Sequence, residues 1–206
     1  MRDELLIAIV AAGESRRLGQ PKQLVNVEGE SLIRRQCRVA IESCIGPVTV
    51  ICGCQAEACS AQIMNLPVAV RHNEQWREGI ASSIREATRA AIEKHSVALL
   101  ILHADQYRVT CKDLRTLHAA WMTSAISTAC RSRHADYAGP PVIFSVALFS
   151  QLMQLRGDEG ARSILSTLDP DLLIDVSMPN AICDLDLPSQ LSDISQESAR
   201  DALPAN

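Results

Sequence analysis

A chain of 206 residues with 47% hydrophobic but only 3% aromatic side chains is long enough to bury one domain-sized core, and that core must be aliphatic. A core of Ala, Val, Ile and Leu suits α/β layers. The formal net charge of −4 excludes a general affinity for nucleic acid, so any basic cluster is a local feature aimed at a small anion.

The first apolar run, Leu5 to Val10, reads as a buried strand that breaks at Ala11-Ala12-Gly13. The loop beyond carries Ser15, Arg16 and Arg17 and, past the Gly19-Gln20-Pro21 turn, Lys22. A buried strand that empties into a small-residue loop can turn backbone N–H groups toward a phosphate. The lack of bulk at Ala11, Ala12 and Gly13 lets a ligand approach the main chain, with Arg17 and Lys22 supplying positive charge. The bland alternative is an ordinary strand exit with solvated basic residues; the loop's length and basicity favour phosphate.

Gly29-Glu30-Ser31 forms a turn with Ser31 as N-cap, and Leu32 to Cys44 is an amphipathic helix stopped by Gly46-Pro47. Val48 to Cys52 is the second strand, Gln55 to Met64 a helix, and Pro67 to Arg71 a third strand leading into His72-Asn73. A helix follows from about Gly79 to Lys94, then the apolar strand Val97 to Leu102, which ends at His103-Ala104-Asp105-Gln106. Alternating strands and helices with continuously apolar strands predict a mostly parallel sheet covered on both faces. In such sheets ligands sit outside the carboxyl ends of the strands. Three segments fall there: Ala11 to Lys22, Asn73 to Ser83, and Asp105-Gln106.

The second half is less regular. Asp113 to Trp121 reads as a helix, Ala125 to Cys130 as a strand, and Gly139-Pro140-Pro141 as a break before the strand Val142 to Phe144. Leu148 to Leu155 is helical, the turn Gly157 to Arg162 leads into a helix from about Ala161 to Leu168, and Leu172 to Val176 is a late strand. Asp184 and Asp186 stand at a turn before Pro188, and the polar stretch from Ser189 onward predicts a frayed tail. The expected organisation is therefore one domain over 1–188 with a flexible tail over 189–206. The opening Met1-Arg2-Asp3-Glu4 and the shortness of the first apolar run predict neither signal peptide nor membrane span, hence a cytoplasmic protein.

Eight cysteines (Cys37, Cys44, Cys52, Cys54, Cys59, Cys111, Cys130 and Cys183) form no Cys-x-x-Cys pair and have no His-x-x-x-His partner. Most lie among apolar neighbours and read as small buried hydrophobes, with Cys52-Gly53-Cys54 as a strand end. Asp105 is different. A carboxylate at the end of so apolar a strand must cap the next element or bind a cation, because an unpaired buried charge is costly. Asp184 and Asp186 tilt the reading toward Mg²⁺, which takes one or two protein carboxylates together with phosphate oxygens. His103 reads as a packing residue, Arg16 as solvated surface, and Trp76 as core.

Read together, these segments resemble a known family. AAGESRRLGQPKQL resembles the A-A-G-x-S-x-R-M-G-x-x-K-x-L signature of the molybdenum cofactor nucleotidyltransferases, and is most similar to their cytidylyltransferase branch. HNEQWREGIASSI resembles N-x-x-W-x-x-G-x-x-x-S, LHADQ the L-x-D-Q-P strand end, GPPVIF the G-x-P-V-x-F segment, GDEGAR an intact G-D-x-G-A-R, and DLDLP the D-I-D-T-P segment. Each block alone is weak; six in the same order carry the resemblance across nearly the whole of residues 5–188.

The resemblance implies a three-layer α/β/α, Rossmann-like nucleotidyltransferase fold. It implies Mg²⁺-dependent transfer of CMP from CTP to the terminal phosphate of molybdopterin or its molybdenum-loaded form, with release of pyrophosphate. Arg17 and Lys22 would act on phosphates, and Ala11, Ala12, Gly13 and Ser15 would approach the nucleotide. Asn73, Gly79, Ser82 and Ser83 would lie along its base and ribose. Asp105 would be the first Mg²⁺ ligand, Asp186 the second and Asp184 the reserve. Asp158 and Arg162, in GDEGAR, would face the pterin with the GPPVIF segment. A molybdenum hydroxylase apo-enzyme, or its maturation chaperone, would receive the product, and neither nucleic acid nor membrane is an expected partner. GTP in place of CTP, another phosphorylated acceptor such as a sugar phosphate, and a non-catalytic molybdopterin carrier are the competing readings. The Ala11-Ala12-Gly13 opening, where guanylyl transfer is associated with A-G-G, tilts toward CTP. Tyr107 replaces the proline after Asp-Gln, Leu187 replaces a threonine, and Gly139-Pro140-Pro141 lacks the histidine of Gly-His-Pro.

Overall fold

The computed structural model describes residues 5–15, 18–124, 126 and 128–182. At its centre is β1 (Leu5–Ala11), buried along its whole length. It pairs in parallel with β4 (Val48–Cys52) on one side and β6 (Ala98–His103) on the other. Beyond β4 lies β5 (Ala69–His72), also parallel. A two-stranded hairpin, β2 (Asn26–Val27) with β3 (Glu30–Ser31), stands apart. β8 (Tyr137–Ser145) runs antiparallel between β6 and β7 (Ala129–His134), and β9 (Leu173–Ser177) joins β7 in parallel. The seven-stranded order is β5-β4-β1-β6-β8-β7-β9.

Alternation along β1 divides the core. Leu5, Ile7 and Ile9 face a layer that includes α1 (Leu32–Ser43), α2 (Ala56–Ile63) and α4 (Cys111–Thr123). Leu6, Ala8 and Val10 face α3 (Ile80–Glu93), α5 (Phe149–Leu152) and α6 (Arg162–Thr167). This is the three-layer α/β/α arrangement with a mostly parallel sheet that the apolar strands predicted. Each fully buried Leu or Ile contributes roughly 1.5–3 kcal/mol relative to exposure. Among the described residues no helix is long and apolar enough to cross a membrane.

Several boundaries differ from expectation. Ser31 precedes α1 but makes no side-chain cap, and its hydroxyl is buried without a partner. The strand expected over Ala125 to Cys130 is β7, which starts at Ala129, where pairing to Phe144 of β8 and Leu173 of β9 begins; partners, not the apolar run, set it. Gly139-Pro140-Pro141 does not break the chain before a strand but lies inside β8. Register runs from Val142 opposite Arg131 directly to Gly139 opposite Ser132. The two residues without an N–H thus occupy a bulge, where no ladder bond is required of them. The Pro140–Pro141 bond is cis. The helix expected over Leu148 to Leu155 shortens to α5, and beyond its end the Leu155 carbonyl accepts Arg85 Nη1 at 2.8 Å.

Four of the seven described cysteines behave as packing residues. Cys37, Cys52, Cys59 and Cys130 are buried, and all seven within the described residues are free. Burial pushes the thiols of Cys37 and Cys130 up to about 12, far from a reactive range. Cys183, Asp184, Asp186 and the tail over 189–206 lie outside the described residues.

Candidate functional site

The carboxyl ends of β1, β4, β5 and β6 meet on one edge, and three loops leave from there. The loop after β1 is shaped by Gln23, whose side chain is buried beneath it. Gln23 Nε2 donates to the carbonyls of Ala11 at 3.1 Å and Gly13 at 2.7 Å, and its Oε1 accepts the Ser15 hydroxyl at 3.5 Å. Because a trans peptide is planar, turning these carbonyls onto Gln23 sends the N–H groups of Ala12 and Glu14 the opposite way. The Ser15 hydroxyl in turn accepts the Lys22 backbone N–H at 3.0 Å. Gln23 is thus a positioning residue that the sequence reading missed; its signal was a lone amide between a lysine and a leucine, which any solvated turn could carry.

Lys22 reaches across to the carboxylate of Asp105, just beyond the end of β6. Asp105 is 6% exposed, so the ammonium supplies the charge that makes its burial tolerable. It does not cap the next helix: Thr110 caps α4, in a reciprocal pair with Asp113. Tyr107, at the family's proline position, donates its N–H to the Asp105 carbonyl at 2.9 Å, a bond proline could not make. A cavity of about 210 Å³ lies over this pair, lined also by Ala11, Ala12, Gly13 and His103. Burial lowers the pKa of the His103 imidazole, against an upward pull from Asp105.

An adjoining cavity of about 320 Å³ shares Ala12 and Gly13 among others, and Ser15, Trp76, Gly79, Ser83 and Asp158 also line it. Trp76 is half-buried on the cleft wall instead of lying in the core, with the Arg77 guanidinium 4.3 Å over its ring. Asn73 and Ser82 sit behind the wall. Asn73 Nδ2 donates to Ser82 Oγ at 2.8 Å and Ser83 Oγ at 3.0 Å, and Ser82 Oγ donates to the Gly79 carbonyl at 2.8 Å. These two side chains shape the start of α3 and do not face the cleft as direct contacts. Gly79, at φ +124°, packs so tightly on Gly157 and Asp158 that a Cβ there would lie 2.3 Å from the Gly157 carbonyl oxygen. Glu78 fastens the same join, accepting Arg85 at 2.6 Å and the Gly157 N–H at 3.1 Å.

A third cavity, of about 230 Å³, runs beneath β8 and is mainly apolar; Arg162 lies on it, away from the loop after β1. The sequence-predicted residues Ala11, Ala12, Gly13, Ser15, Lys22, Gly79, Ser83, Asp105 and Asp158 therefore line the two adjoining cavities. Arg17, Asp184 and Asp186 lie outside the described residues. Among the described residues no three His, Cys, Asp or Glu side chains converge as a closed metal site. Asp105 alone, next to a phosphate-sized cavity, fits the habit of Mg²⁺, which needs few protein carboxylates when phosphate oxygens complete its shell.

Gln106 ties this edge to the far half of the sheet. Its Nε2 donates to the carbonyls of Pro140 at 2.7 Å and Ala181 at 3.1 Å, while its Oε1 accepts the His103 N–H at 3.2 Å. The β8 bulge thus holds the loop that carries Asp105.

A model of the MobA-like NTP transferase domain matches residues 7–172. The chain is 27% identical over 202 residues to the purine catabolism protein PucB of Bacillus subtilis, covering 92% of this chain and 96% of that one. It is 29% identical over 136 residues to a protein of Opitutus terrae named "Probable molybdenum cofactor guanylyltransferase", covering 63% and 60% of the two chains. In structure it is similar to Rv0371c of Mycobacterium tuberculosis, with a TM-score of 0.80 at 22% identity over 95% of this chain and 99% of that one. A manganese complex of the same mycobacterial protein superposes with a TM-score of 0.70 at 22% identity, over 85% and 88% of the chains.

Proposed function

The chain belongs to the MobA-like NTP transferase domain family and is a nucleotidyltransferase; from that premise we propose that it transfers CMP from CTP to the terminal phosphate of molybdopterin or its molybdenum-loaded form. The observation that carries this reading is the Lys22–Asp105 pair, set where the ends of β1 and β6 meet beside a small-residue loop. An oxygen of the acceptor phosphate attacks the α-phosphorus of the nucleotide, and the bond to the departing pyrophosphate breaks. A phosphate oxygen is already ionised, so the step needs no strong general base. What it needs is two polyanions held together and charge stabilised on the α-phosphate. Lys22 and the N–H groups of the Ala12–Ser15 loop supply that, with Arg17 as a further cation. Gly79 and Ser83 border the base and ribose, Asn73 and Ser82 hold that wall in shape, and Asp158, expected toward the pterin, lies on the same cavity at its acceptor side. Arg162 lies toward the acceptor. Mg²⁺, held by Asp105 with Asp186 or Asp184 as second carboxylate, would add charge neutralisation on the phosphates; the manganese complex of the mycobacterial fold neighbour supports a divalent cation.

The recipient on this reading is a molybdenum hydroxylase apo-enzyme or its maturation chaperone, and the name of the Bacillus relative, a purine catabolism protein, supports an enzyme of purine breakdown among the candidates. The guanylyltransferase name of the Opitutus relative supports a second reading, the same transfer from GTP. The Ala11-Ala12-Gly13 opening favours CTP. A non-catalytic carrier would have no use for the Lys22–Asp105 pair. The test is pyrophosphate release with each nucleoside triphosphate, with and without molybdopterin and Mg²⁺. CTP-dependent release that needs both is expected, falling by orders of magnitude in folded Lys22→Ala and Asp105→Ala variants. Absence of release with every triphosphate would sink the enzymatic reading, and a preference for GTP would overturn the choice of CTP.

A further inference from the structure

Lys22 and Asp105 meet on the wall of the cavity of about 210 Å³, and of the described residues that line it they alone carry a formal charge. The two charges cancel. A pocket assigned to a triphosphate and a divalent cation thus offers net charge to neither in this state. The carboxylate side chain is 8% exposed and the lysine side chain 24%, so salt and water screen the pair weakly. Both main chains are fixed. The Lys22 N–H is held by the Ser15 hydroxyl at 3.0 Å. The Asp105 carbonyl accepts the Tyr107 N–H at 2.9 Å, and Gln106 anchors the same turn to Pro140 and Ala181. The side chains differ in reach: a carboxylate one carbon from the backbone stays put, while the four-carbon stem of lysine can swing its ammonium across the cavity. A cation on either oxygen of that carboxylate would lie beside the ammonium, and like charges so placed repel.

We propose that the Lys22–Asp105 pair is a latch: Lys22 holds the place of the divalent cation on Asp105 until a triphosphate draws the ammonium away, so that metal and triphosphate enter together and neither enters well alone. This rests on the nucleotidyl-transfer reading above and adds a regulation of that same site. The ammonium exchanges one anion for another and the carboxylate one cation for another, so no buried charge is left unpaired once both ligands are in place. Each ligand then raises the affinity for the other by the same factor. A pair that served only to hold the loop after β1 against the end of β6 would stay closed whatever bound.

The experiment reads Mn²⁺ binding without nucleotide, from the loss of the free-ion electron paramagnetic resonance signal. It compares the full chain with Lys22→Met, Lys22→Arg, and Lys22→Met combined with Asp105→Asn. Lys22→Met should bind Mn²⁺ roughly tenfold more tightly than the unsubstituted chain. Lys22→Arg, which keeps a cation on Asp105, should show no gain, and the double variant should lose it. Lys22→Met leaves a buried carboxylate without its counter-ion and is the variant most at risk of unfolding, so a second measurement uses the unsubstituted chain. Acylation by the hydroxysuccinimide ester of acetic acid, mapped by mass spectrometry, should label Lys22 more slowly than the exposed Lys94. Saturating Mn²⁺ alone should speed the labelling of Lys22 severalfold and leave Lys94 unchanged. No tightening in folded Lys22→Met, an equal gain in Lys22→Arg, a gain that survives Asp105→Asn, or labelling of Lys22 that ignores Mn²⁺ would each overturn the latch. Both readouts are taken without turnover, so absent pyrophosphate release would count against the activity alone.

Discussion

Gly79→Ala tests the join between the two walls of the cleft proposed to hold the nucleotide. Gly79 has φ +124°, where L side chains are strained, and an added Cβ would lie 2.3 Å from the Gly157 carbonyl oxygen and 2.4 Å from Asp158 Oδ1. The nearest obstacle is backbone, which cannot swing aside as a side-chain tip can. Strain of that kind costs about 1–3 kcal/mol, and overpacking adds about 1–3 kcal/mol. Partial relaxation leaves roughly 3 kcal/mol of expected destabilisation, and in a protein of this size each kcal/mol lowers Tm by about 2–4 °C, so the midpoint should fall by roughly 6–12 °C. Gly160, in the same turn, is the control: its Cβ would meet nothing within 4 Å, and Gly160→Ala should stay within about 0.5 kcal/mol. Thermal and urea unfolding followed by circular dichroism decide the matter. Equal midpoints for the two variants would refute the argument that this contact holds the walls together.

Gly13→Ala should separate stability from binding: its Cβ would meet no atom within 4 Å, so unfolding should be unchanged, while a methyl at the loop raises the KM for the nucleotide by tenfold or more. An unchanged KM would remove Gly13 from the ligand's path. Acid should weaken the fold through Glu78, whose pKa is held down from 4.5 to about 2 by hydrogen bonding to Arg85, then by the Gly157 N–H. A depressed carboxylate pKa gives stability that is present above the unfolded value and lost as pH falls through the folded one, here between about pH 5 and pH 2. Urea midpoints should drop across that window, and less steeply in Glu78→Gln; parallel curves would show that Glu78 is not a source of the loss.

The parts of this protein that could be read in advance are those where one physical demand acts on adjacent residues. β1 and β6 are apolar throughout because helices cover both sheet faces, and that demand is written residue by residue in Leu5 to Val10 and Ala98 to Leu102. The loop after β1 was legible as a small-residue strand exit, and the structure sets that exit on the walls of two cavities. Asp105 stood out because a carboxylate after an apolar strand violates local expectation. Its partner Lys22 lies 83 positions away in sequence, so the pairing could be guessed only from a shared site.

The rest was hidden because the deciding partner is remote and the residue itself unremarkable. Gln23 and Gln106 are amides of ordinary propensity, and nothing beside them in sequence tells which carbonyls they will serve. The prolines of β8 were misread for the opposite reason: locally they signal a break, and only the register against β7 shows that a bulge absorbs both. That bulge presents the Pro140 carbonyl to three donors, Ser132 Oγ at 2.9 Å, Tyr137 Oη at 2.6 Å and Gln106 Nε2 at 2.7 Å. A ladder position would have spent the carbonyl on a neighbouring strand. Because Pro140 and Pro141 withdraw from the ladder, β8 can hold Gln106, and through it the turn between His103 and Asp105. The irregularity that defeated the strand reading is therefore what ties the apolar cavity beneath β8 to the carboxylate over which the chemistry is proposed to occur.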